Sequence, residues 1–123
     1  MLTYPRAGAL AEAEVWLRQL RSEADRAAHA RVVGSEAMEA AARAAGRRII
    51  DRITVLLLQQ HATSPAGALS EAISAACTAE LARLEGRNEA WRWRLAAHHW
   101  ERAGRPDETE AARRRADADR RSA

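Results

Sequence analysis

Apolar residues recur along this chain at steps of three and four, the spacing of a helix face, and no run alternates as a half-buried strand does. Leu10, Ala13, Leu17, Leu20, Ala24 and Ala27 form a heptad-like stripe. It predicts a first helix from a cap at Thr3, with Pro5 just inside, to Val33 ahead of Gly34. Trp16 lies beside that stripe, and Glu14 with Arg18 has the spacing of an ion pair on the wet face. Ser35 then caps a second helix running to His61, before the loop Ala62-Thr63-Ser64-Pro65. Its later half, with Ile49, Ile50, Ile53, Val55, Leu56, Leu57 and Leu58, is apolar on more than one face. That predicts the central, most enclosed helix of the molecule.

A third helix is predicted with Ser64 as its cap and Pro65 at its first position, carrying Leu69, Ile73, Cys77, Leu81 and Leu84 on one stripe. The stripe continues through Trp91, Leu95 and His98. The preferred reading is therefore one long third helix kinked at Gly86, and the alternative is a new helix capped by Asn88. Gly104-Arg105-Pro106-Asp107 stops and restarts the chain, because glycine closes a helix and Asp107 with Glu110 has capping-box spacing. The last helix, to about Asp117, is nearly all charge and alanine and has little to bury. The expected fold is all-α: an antiparallel bundle of four, possibly five, helices counting the last one, with the bundle domain over residues 1–104 and the short charged C-terminal helix and tail over 105–123.

Composition reinforces the helical reading, since alanine fills 31 of 123 positions while phenylalanine is absent and β-branched residues are few. Every basic side chain is arginine, yet the formal charge is only +3, a thin basis for a nucleic-acid partner. The single cysteine, Cys77, makes no internal disulfide and falls on the apolar stripe of the third helix as a small core residue. With no signal-like N-terminus and no apolar run longer than Val55-Leu56-Leu57-Leu58, a cytoplasmic protein without a membrane span is expected.

Three of the four tryptophans, Trp91, Trp93 and Trp100, share one segment with Arg92, Arg94 and Arg102. Trp93, Ala97 and Trp100 lie on one helical face and Trp91, Leu95 and His98 on another, more apolar surface than one intramolecular contact covers. Tryptophan and arginine dominate binding hot spots. Trp91, Trp93, Arg94, Leu95, His98 and Trp100 are accordingly the candidate interface for a second copy of the chain or another protein. The plainer alternative packs the second face on the first or the last helix.

Arg43, Arg47, Arg48 and Arg52, with Arg92, are candidates for phosphate contacts to a nucleic acid, the tryptophans supplying stacking. Glu85, Glu89 and Glu101 offset that charge, and Asp51 stands one turn from Arg47, as on a solvated face with local ion pairs. Four histidines, His29, His61, His98 and His99, raise the question of a metal. No Glu-x-x-His occurs and His98 and His99 point to different faces, so no metal or cofactor is expected.

Two local resemblances remain. Trp100 to Glu108 resembles the turn within a tetratricopeptide repeat, without that family's repeat period. Arg47-Arg48-Ile49-Ile50-Asp51-Arg52-Ile53, followed by leucines, resembles the opening helix of the all-helical chorismate mutases. The resemblance implies that Arg47 contacts a substrate carboxylate and that Asp51 belongs to the site. That family places this helix at the N-terminus, an arginine where His61 stands and a lysine downstream, and this chain has no lysine. The leading expectation is a non-enzymatic helical interaction protein that dimerises through the Trp/Arg helix; a nucleic-acid-binding regulator is the second.

Overall fold

In the computed structural model, which describes residues 5–65 and 67–122, the chain is all-helical: α1 (Pro5–Val33), α2 (Glu36–Thr63), α3 (Ala68–Leu84), α4 (Ala90–Arg102) and α5 (Pro106–Ser122). The stripe of α1 is the buried one, with Ala13, Leu17, Leu20, Ala24 and Ala27 all in the core. Thr3, the expected cap of α1, lies outside the described residues. Ser35 caps α2 as expected, its Oγ accepting from the Met38 N–H at 3.2 Å. The α1–α2 pair is clamped at its turn by Arg31 with Glu39 and further along by Arg52 with Glu12, both at 2.8 Å.

Three helix boundaries differ from expectation. Ser64 closes α2 and does not open α3: the residue before a proline is driven to extended backbone, and Ser64 has φ −149° and ψ 147°. The cap of α3 is Gly67. Its N–H donates to Ser70 Oγ at 3.1 Å, and that hydroxyl donates back to the Gly67 carbonyl at 3.0 Å. The single long third helix does not form either, because α3 ends at Leu84. Gly86 adopts φ 79°, and the Arg87 and Gly86 N–H groups turn back onto the carbonyls of Ala82 and Arg83 at 2.8 and 3.0 Å. Arg31, reaching over from α1, donates to the Arg83 and Leu84 carbonyls, so the helix end is closed twice. α4 then starts behind Glu89, with Asn88 outside it. In α5, Pro106 takes the first helical position, which moves Asp107 from the cap into the first turn beside Glu108. There both carboxylates face the positive end of the helix dipole.

The most enclosed helix is α3, not α2. It packs against α1, α2 and α4, and Ala72, Ile73, Ala76, Cys77, Ala79, Ala82 and Leu84 are all buried. Small side chains allow approach from several sides at once. A methyl group placed on Gly46 of α2 would fall 2.5 Å from Leu84 Cδ2. α2 has the larger apolar residues but turns one side of them outward, leaving Leu58 63% and Val55 43% exposed. α5 also belongs to the packed body: Thr109, Ala112, Ala116 and Asp119 are buried, and Arg105 and Glu108 pair with Glu14 and Arg21 of α1 at 2.6 and 2.7 Å. Glu14 thus bonds across to Arg105 and not to Arg18. Among the described residues α2 and α4 both lean on α3 without meeting each other.

Candidate functional site

The gap between α2 and α4 is a groove of about 470 Å³ with α3 as its floor. Ser70, Ser74, Ala75 and Thr78 of α3 form that floor, small residues of which Ser70 is buried and Ser74 and Thr78 face outward. Two of their hydroxyls are engaged locally: Ser70 bonds to Gly67, and the Thr78 Oγ1 donates to the Ser74 carbonyl at 3.0 Å. Trp91 and Leu95 of α4 stand on one rim, 50% and 45% exposed, with His99 further along and His61 of α2 opposite. His99 Nδ1 is buried without a hydrogen-bond partner; Glu71 Oε1 lies 3.9 Å away. An open, largely apolar trough with few strong polar anchors suits the docking of a helix or an aromatic side chain more than chemistry.

The six residues expected to form one interface fall into three places. Trp93 and Trp100 are in the core, 5% and 1% exposed. Arg94 and His98 line a shallow hollow between α4 and α5, beside Arg113 and Asp117. Trp91 and Leu95 alone border the α3 groove. The Arg92 guanidinium lies 4.3 Å from the centre of the Trp91 ring and pairs with Glu89.

The arginines considered for nucleic acid are largely engaged by carboxylates. Arg47 pairs with Glu85, and Arg87 joins Glu85 to Glu89 at 2.8 and 2.6 Å, so a ladder of alternating charge runs from Arg47 to Arg92. Hydrogen bonds from Arg87 hold the Glu85 carboxyl below its usual range, and those from Arg92 and Arg87 do the same for Glu89. Arg47 therefore bonds across to Glu85, not to Asp51 on its own helix. Arg52 is bound to Glu12, which also accepts from the Trp16 indole N–H at 3.1 Å. Arg48 flanks Trp16 on the α1–α2 surface, and Arg43 is half-buried near Glu85.

A second polar cluster lies inside the molecule. Glu80 of α3 is buried, and its carboxylate meets Arg83 at 2.9 Å and Arg21 at 3.5 Å; Arg83 continues to Asp25 at 2.7 Å. Burial pushes the Glu80 carboxyl upward against the opposing pull of Arg83, Arg21 and Arg115. Trp93, Trp100 and Arg115 line a cavity of about 150 Å³ beside it, and the Arg115 guanidinium lies 6.0 Å from the Trp93 ring centre. Cations and carboxylates balance here, so the cluster ties α1, α3 and α5 together and offers no net charge to a ligand. Cys77, buried next to it, has its thiol pushed up to about 12, mainly by burial, which leaves it unreactive at neutral pH.

Among the described residues no group of three or more His, Cys, Asp or Glu side chains is placed to hold a metal ion, and no helix is long and apolar enough to cross a membrane. No protein-family model, curated protein or solved structure matches the chain.

The groove floor was not singled out in the sequence. Its signal was the spacing of Glu71, Ser74, Ala75 and Thr78 on the side of the helix opposite Ile73 and Leu84, which small side chains make easy to overlook. Glu80 carried a plainer signal: a carboxylate on the stripe of Ile73, Cys77 and Leu84, with an arginine three residues later.

Proposed function

We propose that this chain is a non-enzymatic protein–protein interaction module that self-associates through the open side of α4, in the cytoplasm. The observation that supports it is the half-exposure of Trp91 and Leu95 on the rim of an apolar groove floored by small residues. A large exposed aromatic beside a leucine is the composition of a binding hot spot, and the floor has room to receive one. The ion-pair cluster around Glu80 is charge-balanced and partly covered by α5, and the surface arginines are mostly neutralised by their own glutamates. Both features favour an apolar docking surface over an anion or nucleic-acid site. The lone, buried cysteine fits a reducing compartment.

Sedimentation velocity across a concentration series tests the reading. Wild type is expected to sediment as a dimer at tens of micromolar, in the range of about micromolar dissociation constants common for modest interfaces. Leu95→Glu is expected to be monomeric with an unchanged circular dichroism spectrum. A wild-type chain that stays monomeric at millimolar concentration would remove self-association from the proposal.

A further inference from the structure

The α3–α4 groove is lopsided in both size and charge. α3 and α4 meet at the Gly86 turn and again where Glu71 approaches His99, so Thr78, Trp91 and Arg92 mark one end and Ser70, Glu71 and His99 the other. The first end carries a large ring. The second has a floor of Ser70, Ser74 and Ala75 with no comparable side chain rising from it. Among the described residues the only formally charged groups lining the groove are Arg92 at the ring end and Glu71 at the small end, with the His99 imidazole beside Glu71 and His61 on the α2 side. Arg92 belongs to the ladder from Arg47 to Arg92, in which three arginines face two glutamates, so the ladder that reaches the ring end carries one positive charge in excess.

A surface with a knob and a positive charge at one end, and a hollow and a negative charge at the other, is complementary to itself turned end for end. That is the requirement of an isologous two-fold contact. We propose that the occupant of the groove is a second copy of this chain, related by a two-fold axis passing over Ala75 and Leu95. Each Trp91 then seats over the partner's Ser74, and each Arg92 faces the partner's Glu71. The inference rests on the reading of this groove as the self-association surface, and adds its register.

Charge reversal tests the register. In Arg92→Glu both facing pairs become Glu against Glu, and in Glu71→Arg both become Arg against Arg. Each variant alone is expected to raise the dimer dissociation constant about tenfold or more. An equimolar mixture of the two restores both pairs, one in its native polarity and one reversed, and is expected to form a heterodimer at close to wild-type affinity. The double variant Arg92→Glu/Glu71→Arg is expected to recover the homodimer. Circular dichroism checks folding. Should either reversal not fold, Glu71→Gln and Arg92→Gln serve instead, each weakening the dimer about threefold, with the double variant no weaker than either single one. A mixture no better than the single variants overturns the register. So does a dimer that ignores these reversals while Leu95→Glu still dissociates it, an outcome that leaves the groove as the interface. A wild-type monomer removes the self-association reading itself, and the register with it.

Discussion

Trp91 and Trp93 sit two positions apart on the same short helix; one is 50% exposed and the other 5%. On the inner face of α4, Trp93, Ala97 and Trp100 are covered from one side by α3 and from the other by α5, whose Ala112 and Ala116 leave room for the rings. On the outer face Trp91 and Leu95 look across a floor of small residues towards α2, which comes no closer than α3 allows. The residue types on the two faces are alike. Their fates differ because a thin helix, poor in apolar bulk, happens to lie against one of them. Burial of an aromatic residue is decided by the neighbour that fits it, and α5 fits because it is mostly alanine and charge.

If that is so, the inner face should dominate stability. Trp100→Ala removes the largest fully buried side chain and should cost about 3 to 5 kcal/mol, enough to bring a domain of ordinary stability close to unfolding. Urea denaturation followed by circular dichroism measures it, and a cost near zero would mean that α5 does not hold the ring in place. Next in size is Glu80→Ala, which leaves Arg83 and Arg21 without their buried carboxylate and should cost about 3 kcal/mol by the same measurement.

The helical class, the stripe of α1 and the two-faced character of α4 were legible in the sequence because each follows from period and residue type. What misled was bulk. Ile50, Val55 and Leu58 suggested an enclosed α2, yet enclosure went to α3, where Ala72, Ala76, Ala79 and Cys77 let three helices approach. α5 looked too polar to be held, but it contributes narrow alanines, and its Glu108 finds Arg21 of α1 across the fold. The break at Gly86 was ambiguous from the stripe alone. Arg31, fifty-odd residues earlier in the chain, helps to settle it by bonding the α3 carbonyls, and no local pattern announces that bond. The groove was invisible for a related reason: it exists because α2 and α4 fail to meet, a property of topology.

The inner face also carries a pH signature that the outer face lacks. Burial holds the Asp119 carboxyl above its ordinary range, against the pull of Arg115, the Trp93 indole and Arg83. The native state therefore keeps a proton on Asp119 at pH values where the unfolded chain has released it. The contribution of this group to stability is greatest below the ordinary aspartate value and declines as pH rises through the raised one. Glu80, shifted in the same direction, adds to that slope, whereas the half-buried Glu12, Glu85 and Glu89 are shifted down and lose their contribution only at lower pH, as it falls through their depressed values. Asp119→Asn is expected to flatten, without abolishing, the decline in urea midpoint from the ordinary carboxylate range up to neutral pH. An unchanged slope would place the shift elsewhere.

The smallest stability effect is expected on the outer face, and it sharpens the comparison most. Trp91→Ala deletes a side chain as large as Trp100, but half of it already meets solvent and Arg92 covers part of the rest. Its truncation should change the unfolding free energy of the monomer by about 0.5 to 1 kcal/mol, as expected for a residue that fills no cavity and satisfies no buried partner. Measured at concentrations below the dimer dissociation constant, that small cost is the intrinsic one. Repeated well above it, the same substitution should cost more, because the dimer adds binding energy that only the wild-type ring supplies. A gap that opens with concentration for Trp91→Ala and stays closed for an outward residue away from the groove, such as Val15→Ala, would separate the two faces of α4 by function as well as by burial. An equal cost at both concentrations would make Trp91 only a surface aromatic.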